Sequence, residues 1–158
     1  MLHNRIGEQS KQMKKLFLIL VLCLVWNSKV YSNNCTYKDE KYAKEDSELY
    51  GDKRTYRAEE AYNAGQTIIN VFQAKDLNKL ISMFDGELKK GPPLSYFKNK
   101  TFDEAFNTSF QKLIISSKPR CGLSDSNKGF DLGNTLLWYD KSKSNKWVIR
   151  EINYIVTK

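Results

Sequence analysis

The stretch Gly129-Phe130-Asp131-Leu132-Gly133-Asn134-Thr135-Leu136-Leu137-Trp138-Tyr139-Asp140, followed by Lys146-Trp147-Val148-Ile149-Arg150-Glu151-Ile152-Asn153-Tyr154-Ile155-Val156, decides the fold. Both runs are rich in aromatic and β-branched residues, and the polar connection Lys141-Ser142-Lys143-Ser144-Asn145 separates them. The pair reads as an antiparallel β-hairpin. In the first run the even positions Phe130, Leu132, Leu136 and Trp138 share a face. In the second, Trp147 and Ile149 are odd, whereas Ile152, Tyr154 and Val156 are even. A strand of strict period two cannot bury both sets on one face. A bulge near Arg150-Glu151 reconciles them, or both faces are partly covered. Trp138 and Trp147 are then core and cross-strand packing.

Upstream of the hairpin the apolar period becomes helical. Ala61, Gly65, Ile68 and Phe72 recur on one face, flanked by Ala58, Tyr62 and Ile69, and the small residues permit close approach of another element. Thr55 is the expected cap, with Glu59 and Glu60 in the first turns. Asp76 caps a second, short helix with Leu77, Leu80, Ile81 and Phe84 inward and Gly86 at its C-terminal end. Gly91-Pro92-Pro93 is a hard break. Thr101-Phe102-Asp103-Glu104 has the form of a capping box, and Phe102, Phe106, Phe110 and Leu113 make the apolar face of a third helix. That helix fades by Ser116, since Lys118-Pro119 disfavours continuation; Leu113-Ile114-Ile115 also suits a strand.

The N-terminus reads as an address. Lys14-Lys15 precede the apolar run Leu16–Trp26, and Val30-Tyr31-Ser32 supplies a cleavage site. We read residues 1–32 as a secretory signal peptide cut after Ser32, with Met13 as an alternative start. The apolar run is shorter than the roughly 20 residues that span a bilayer. An uncleaved anchor and a lipoprotein at Cys23 are the rival readings; Leu22 is not the small residue that acylation of Cys23 wants. Export leaves Cys35 and Cys121, expected to form one disulfide that closes a loop of about 85 residues. Residues 33–55 are polar, with Tyr37, Tyr42 and Tyr50 as their large apolar bodies, and read as an extended or loosely helical arm held by Cys35. Residues 56–158 make a single α+β domain.

The formal charge of +8 invites a nucleic-acid reading. Residues 1–32 hold five of the 26 basic and one of the 18 acidic residues, so 21 and 17 remain, a balance of +4. Acids and bases are interspersed, and no basic block alternates with stacking aromatics, so nucleic acid is not an expected partner. His3 is the only histidine and leaves with the signal. Histidine-activated nucleophiles and histidine-ligated zinc or haem are thereby excluded from the mature chain. Paired cysteines remove thiolate chemistry as well. No phosphate-binding glycine loop, dinucleotide fingerprint or EF-hand spacing is present.

The acidic pairs Asp85/Glu87 and Asp103/Glu104 are read as helix-end and first-turn acids, and Arg150/Glu151 as an exposed pair or bulge. A glycosidase would need two carboxylates across a cleft, which spacing does not show. Asn34-Cys35-Thr36, Asn99-Lys100-Thr101 and Asn107-Thr108-Ser109 match the glycosylation pattern, which matters only in a eukaryotic secretory pathway; the Lys-Lys signal looks bacterial.

The run Ala58-Glu59-Glu60-Ala61-Tyr62 through Asp76-Leu77-Asn78-Lys79-Leu80 resembles the opening helices of NTF2-like (cystatin-like α+β) domains. Gly86-Glu87-Leu88 through Gly91-Pro92, the Gly129–Asp140 run and Trp147 are similar to small exported proteobacterial proteins of unassigned function. The resemblance implies helices against a curved sheet. It carries over no catalytic residue, because the Asp/His dyads of some NTF2-like enzymes have no histidine here to match. The expected fold is α+β, about three helices packed on a C-terminal antiparallel sheet. The expected protein is periplasmic or secreted, with no cofactor, metal site or catalytic residue. It is a non-enzymatic binding protein for a protein partner or small apolar ligand, and it meets the membrane only through its signal peptide. The alternatives are an immunity- or inhibitor-like protein that neutralises an exported toxin or lytic enzyme, and a histidine-free enzyme using carboxylates.

Overall fold

A computed structural model describes residues 34–50 and 55–154. The expected signal segment and the expected cleavage after Ser32 lie outside the described residues, as do Ile155 and Val156. The described chain is α+β: helices come first, and a three-stranded antiparallel sheet of order β1-β2-β3 follows.

The polar arm contains a regular helix, α1 (Tyr37–Tyr50). Its start is fixed by Thr36 and Asp39. The Thr36 backbone N–H and hydroxyl both donate to the Asp39 carboxylate, and the Asp39 N–H donates back to the Thr36 Oγ1. Lys41–Glu45 and Lys44–Glu48 pair one turn apart on its exposed face. Ala43 is buried, and Cys35 is bonded to Cys121 with a Cα–Cα distance of 5.7 Å.

Helix α2 (Ala58–Ala74) is the spine. Thr55 does not cap it; Arg57 occupies the cap position and supplies no side-chain bond. The cap comes from α1 instead. Glu40 accepts from the Ala58 and Glu59 N–H groups at 3.2 and 3.3 Å, placing a carboxylate at the positive end of the helix dipole. The expected buried face holds: Ala58, Ala61, Gly65, Ile68 and Phe72 are inside. Helix α3 (Leu77–Ser82) starts at the Asp76 cap, whose side chain accepts from the Lys79 N–H, and it ends at Met83, ahead of Gly86.

After a short 3-10 turn at Leu94–Phe97, the single third helix expected from the phenylalanine stripe is two helices. Thr101 and Glu104 do form a capping box, opening α4 (Phe102–Ala105). The chain then turns extended at Phe106, and Asn107 caps α5 (Thr108–Ile115) by accepting from the Phe110 N–H. This restart resets the helical phase. Phe110, Gln111 and Ile114 point inward, and Leu113, expected on the apolar face, is exposed. The aromatic rings still meet: Phe72, Phe97, Phe102, Phe106, Phe110 and Tyr154 make a chain of edge, tilted and stacked contacts.

The Gly129–Asp140 run is two strands. Strand β1 (Phe130–Leu132) and strand β2 (Leu137–Lys141) are joined by a turn in which Gly133, Asn134 and Thr135 all take positive φ. Asp131 accepts from the Thr135 N–H and clamps this turn. The turn shifts the phase by one residue. Leu137 and Tyr139 therefore join Phe130 and Leu132 on the inner face, and Trp138 lies on the other face beside Asp131 and Glu151. In strand β3 (Trp147–Ile152) the expected bulge is present: Tyr139 pairs with Ile149 and Trp138 with Glu151, leaving Arg150 as the extra residue. That puts Trp147, Ile149 and Ile152 on one face. Tyr154 falls beyond the strand and reaches the phenylalanine cluster, where its Oη accepts from the Asn107 N–H.

The far edge of β3 is covered by residues 83–90, which make parallel bridges to Ile149 and Glu151. The Ile149 N–H donates to the Met83 carbonyl, and the Lys89 N–H to the Arg150 carbonyl. The inner face meets α2 at Gly65. A Cβ there would lie 2.5 Å from the Tyr139 Oη and 2.8 Å from the Pro119 Cβ, so only glycine permits this approach. The Tyr139 hydroxyl donates to the Ala61 carbonyl at 3.1 Å, and burial pushes its pKa well above the usual phenol range, with the nearby Asp131 adding.

Candidate functional site

One turn around α2 from its buried face, the helix presents Glu60, Asn63, Ala64 and Thr67. Their spacing places them in a single stripe along the helix. Helix α3 faces this stripe with Lys79, Ser82 and Met83, and β3 supplies Trp147. Between them is an open groove of about 510 Å³, a size that takes a small molecule or a short peptide.

The floor is apolar and the rim polar. Trp147 is half-buried, and its ring meets Phe130 in a T-shaped contact and Tyr139 at a tilt. Lys141, on the same sheet face, lies over the Trp147 ring at 5.5 Å and bonds Glu60 at 3.0 Å. Its side chain is only 11% exposed, so this pair is better shielded from water than an ordinary surface bridge. The Thr67 and Ser82 hydroxyls donate back to the carbonyls of Asn63 and Lys79 within their own helices. Neither the Lys79 ammonium nor the Asn63 amide has a partner among the described residues.

The residues singled out in the sequence lie elsewhere. Cys35 and Cys121 are joined and anchor α1. Asp103 bonds Lys75 at 2.7 Å and accepts from Gln111, contacts that hold its carboxyl below the usual range. Glu104 is held low by its hydrogen bonds from the Thr101 backbone N–H and hydroxyl. Glu87 accepts from the Leu94 N–H, tying the Gly91-Pro92-Pro93 turn. Asn107, within a glycosylation pattern, uses its side chain as the α5 cap.

Arg150 and Glu151 form the bulge and are not an exposed ion pair. The Arg150 guanidinium donates to the Lys141 carbonyl, and Glu151 is buried. On the same outer face Trp138 and Val148 are buried outside the main core, and the Trp138 Nε1 and a Glu151 oxygen lack hydrogen-bond partners among the described residues.

The groove has no continuous pattern in the sequence, because its residues come from three elements and only Met83 and Trp147 among them are large and apolar. The single signal in the sequence is the 60/63/64/67 period, which reads equally as a solvated helix face.

No protein-family model, curated protein or solved structure matches the chain. The fold and the groove define the class on their own terms: a disulfide-tied α+β protein with a helix-lined, tryptophan-floored groove. Among the described residues no helix is long and apolar enough to cross a membrane.

Proposed function

We propose that this is an exported, non-enzymatic binding protein, periplasmic or secreted, whose ligand site is the groove between α2, α3 and β3. The observation that carries this reading is the open groove itself, with Trp147 and Met83 below and hydrogen-bonding groups at the rim. Export is supported by the Lys14-Lys15 and Leu16–Trp26 pattern together with the Cys35–Cys121 disulfide. The helical start of an NTF2-like domain suits this reading too, since helices over a sheet leave a groove at their junction. A heteronuclear NMR titration of the exported protein with a mixture of small aromatic and aliphatic compounds tests it. Shifts clustered on Ala64, Thr67, Met83 and Trp147 are expected; shifts confined to other surfaces, or none at all, refute it. Intact mass tests the export claim, with a chain beginning at Asn33 and no alkylatable thiol expected. A chain that keeps earlier residues, or takes up two alkyl groups, contradicts it.

A second reading, an immunity- or inhibitor-like protein, is favoured by one observation. Helix α1 is densely charged and exposes Tyr37 (88%) and Leu49 (74%). It predicts a single stoichiometric lytic or toxic partner in a pull-down, lost in a Tyr37→Asp, Leu49→Asp double variant. A partner retained by that variant removes α1 as the contact.

A further inference from the structure

The groove's charges and hydrogen-bond donors narrow its ligand class. This inference rests on the groove being the binding site. Glu60 is the one carboxylate in the lining, and Lys141 already neutralises it at 3.0 Å. The Thr67 and Ser82 protons are committed to their own helices. Lys79 has no ion pair among the described residues, and the Asn63 side-chain amide donates to none of them. A ligand group entering here meets free donors and a net positive potential, while its body meets Trp147, Met83 and Ala64. A cation is disfavoured twice: Glu60 is occupied, and two ammonium groups stand near. A flat ring is favoured by the aromatic surface that Trp147 contributes to the groove lining, beside the Lys141 ammonium that lies over the same ring at 5.5 Å.

We infer that the groove takes a small aromatic monoanion, a carboxylate or sulfonate on a planar apolar body. The ring lies on Trp147 and the Met83 thioether, and the acid oxygens accept from Lys79 and Asn63. Lys79 is exposed, so its contribution is that of a surface charge pair and not of a buried one. Selectivity therefore comes from the combination of ring platform and cation, and it weakens with salt.

The probes are three matched indoles: indole-3-acetate, the uncharged indole-3-acetamide, and cationic tryptamine. Each is titrated calorimetrically into the oxidised, exported protein at low salt. The acetate is expected to bind about fivefold more tightly than the acetamide, with tryptamine weakest. Lys79→Ala is expected to bring acetate down to the acetamide value. Thr67→Glu, at an exposed rim position, is expected to reverse the order. Acetate and acetamide binding equally to the unmodified protein, or a preference untouched by Lys79→Ala, overturns the anion inference. In that case the groove stands if Ala64→Leu, which fills it, abolishes binding of both. Failure of all three indoles to bind, or binding indifferent to Ala64→Leu, overturns the groove as well.

Discussion

Helix α2 is built from one run of sequence, and its two sides do opposite things. On the side of Ala61, Gly65, Ile68 and Phe72 the side chains are buried, and at Gly65 not even a methyl group fits beneath Tyr139 and Pro119. On the side of Glu60, Asn63, Ala64 and Thr67, Met83 and Trp147 stop short and leave about 510 Å³ open. The first side fixes the sheet to the helix; the second is available to a ligand. Small residues serve both sides by different physics. Gly65 is small because the Tyr139 hydroxyl must reach the Ala61 carbonyl, whereas Ala64 is buried with the core and its remaining surface lines the groove.

The comparison breaks most severely if its closed side is opened. Phe72 touches Phe102, Phe106 and Phe110 and is fully buried. Phe72→Ala is expected to cost about 3–5 kcal/mol in denaturant unfolding. A loss under 1 kcal/mol would show that the phenylalanine cluster does not hold α2 in place. Next comes the disulfide. It spans 86 residues, and the double variant Cys35→Ser, Cys121→Ser is expected to lose about 2–5 kcal/mol. Because the bridge holds α1 and the Glu40 cap, hydrogen exchange should accelerate first at Ala58 and Glu59, with groove-side amides less affected. Uniform acceleration would contradict that placement. Tyr139→Phe is expected to cost about 1–3 kcal/mol, since the ring packing survives but the hydroxyl loses both its bond to the Ala61 carbonyl and its hydrogen bond with the Arg120 backbone. A cost above about 3 kcal/mol would mean that the hydroxyl organises more than these two contacts.

Much of the closed side was legible in the sequence. The phase switch between Ile149 and Ile152 announced the bulge at Arg150. The spacing of Ala61, Gly65, Ile68 and Phe72 announced the buried stripe, and the expectation that Cys23 belongs to a signal segment left Cys35 and Cys121 to pair. What escaped depended on short polar signals or on distant partners. Thr36 and Asp39 start α1, yet they sit in a run too polar to suggest order. Gly133-Asn134 splits the first strand and turns Trp138 off the face of Phe130 and Leu132, although the even positions alone look continuous. Asn107 restarts a helix in the middle of an unbroken phenylalanine stripe, which turns Leu113 outward. The Glu40 cap and the cover of β3 by residues 83–90 are tertiary, with no local pattern to announce them. The groove belongs with this last group, because a space between three elements has no sequence period.

Adjacent residues of α2 offer the most direct test, with calorimetric titration of indole-3-acetate and denaturant unfolding measured on Gly65→Ala and Ala64→Leu. Gly65→Ala must displace Tyr139 or Pro119 and is expected to lose about 1–2 kcal/mol of stability, the overpacking cost less the helix-propensity gain, while the folded fraction keeps its affinity. Ala64→Leu is expected to abolish binding in the folded protein, with an overpacking cost of about 1–3 kcal/mol because Ala64 lines the groove and is also buried against the core. Binding that survives Ala64→Leu unchanged would contradict the central claim that the open side of α2 is the ligand site.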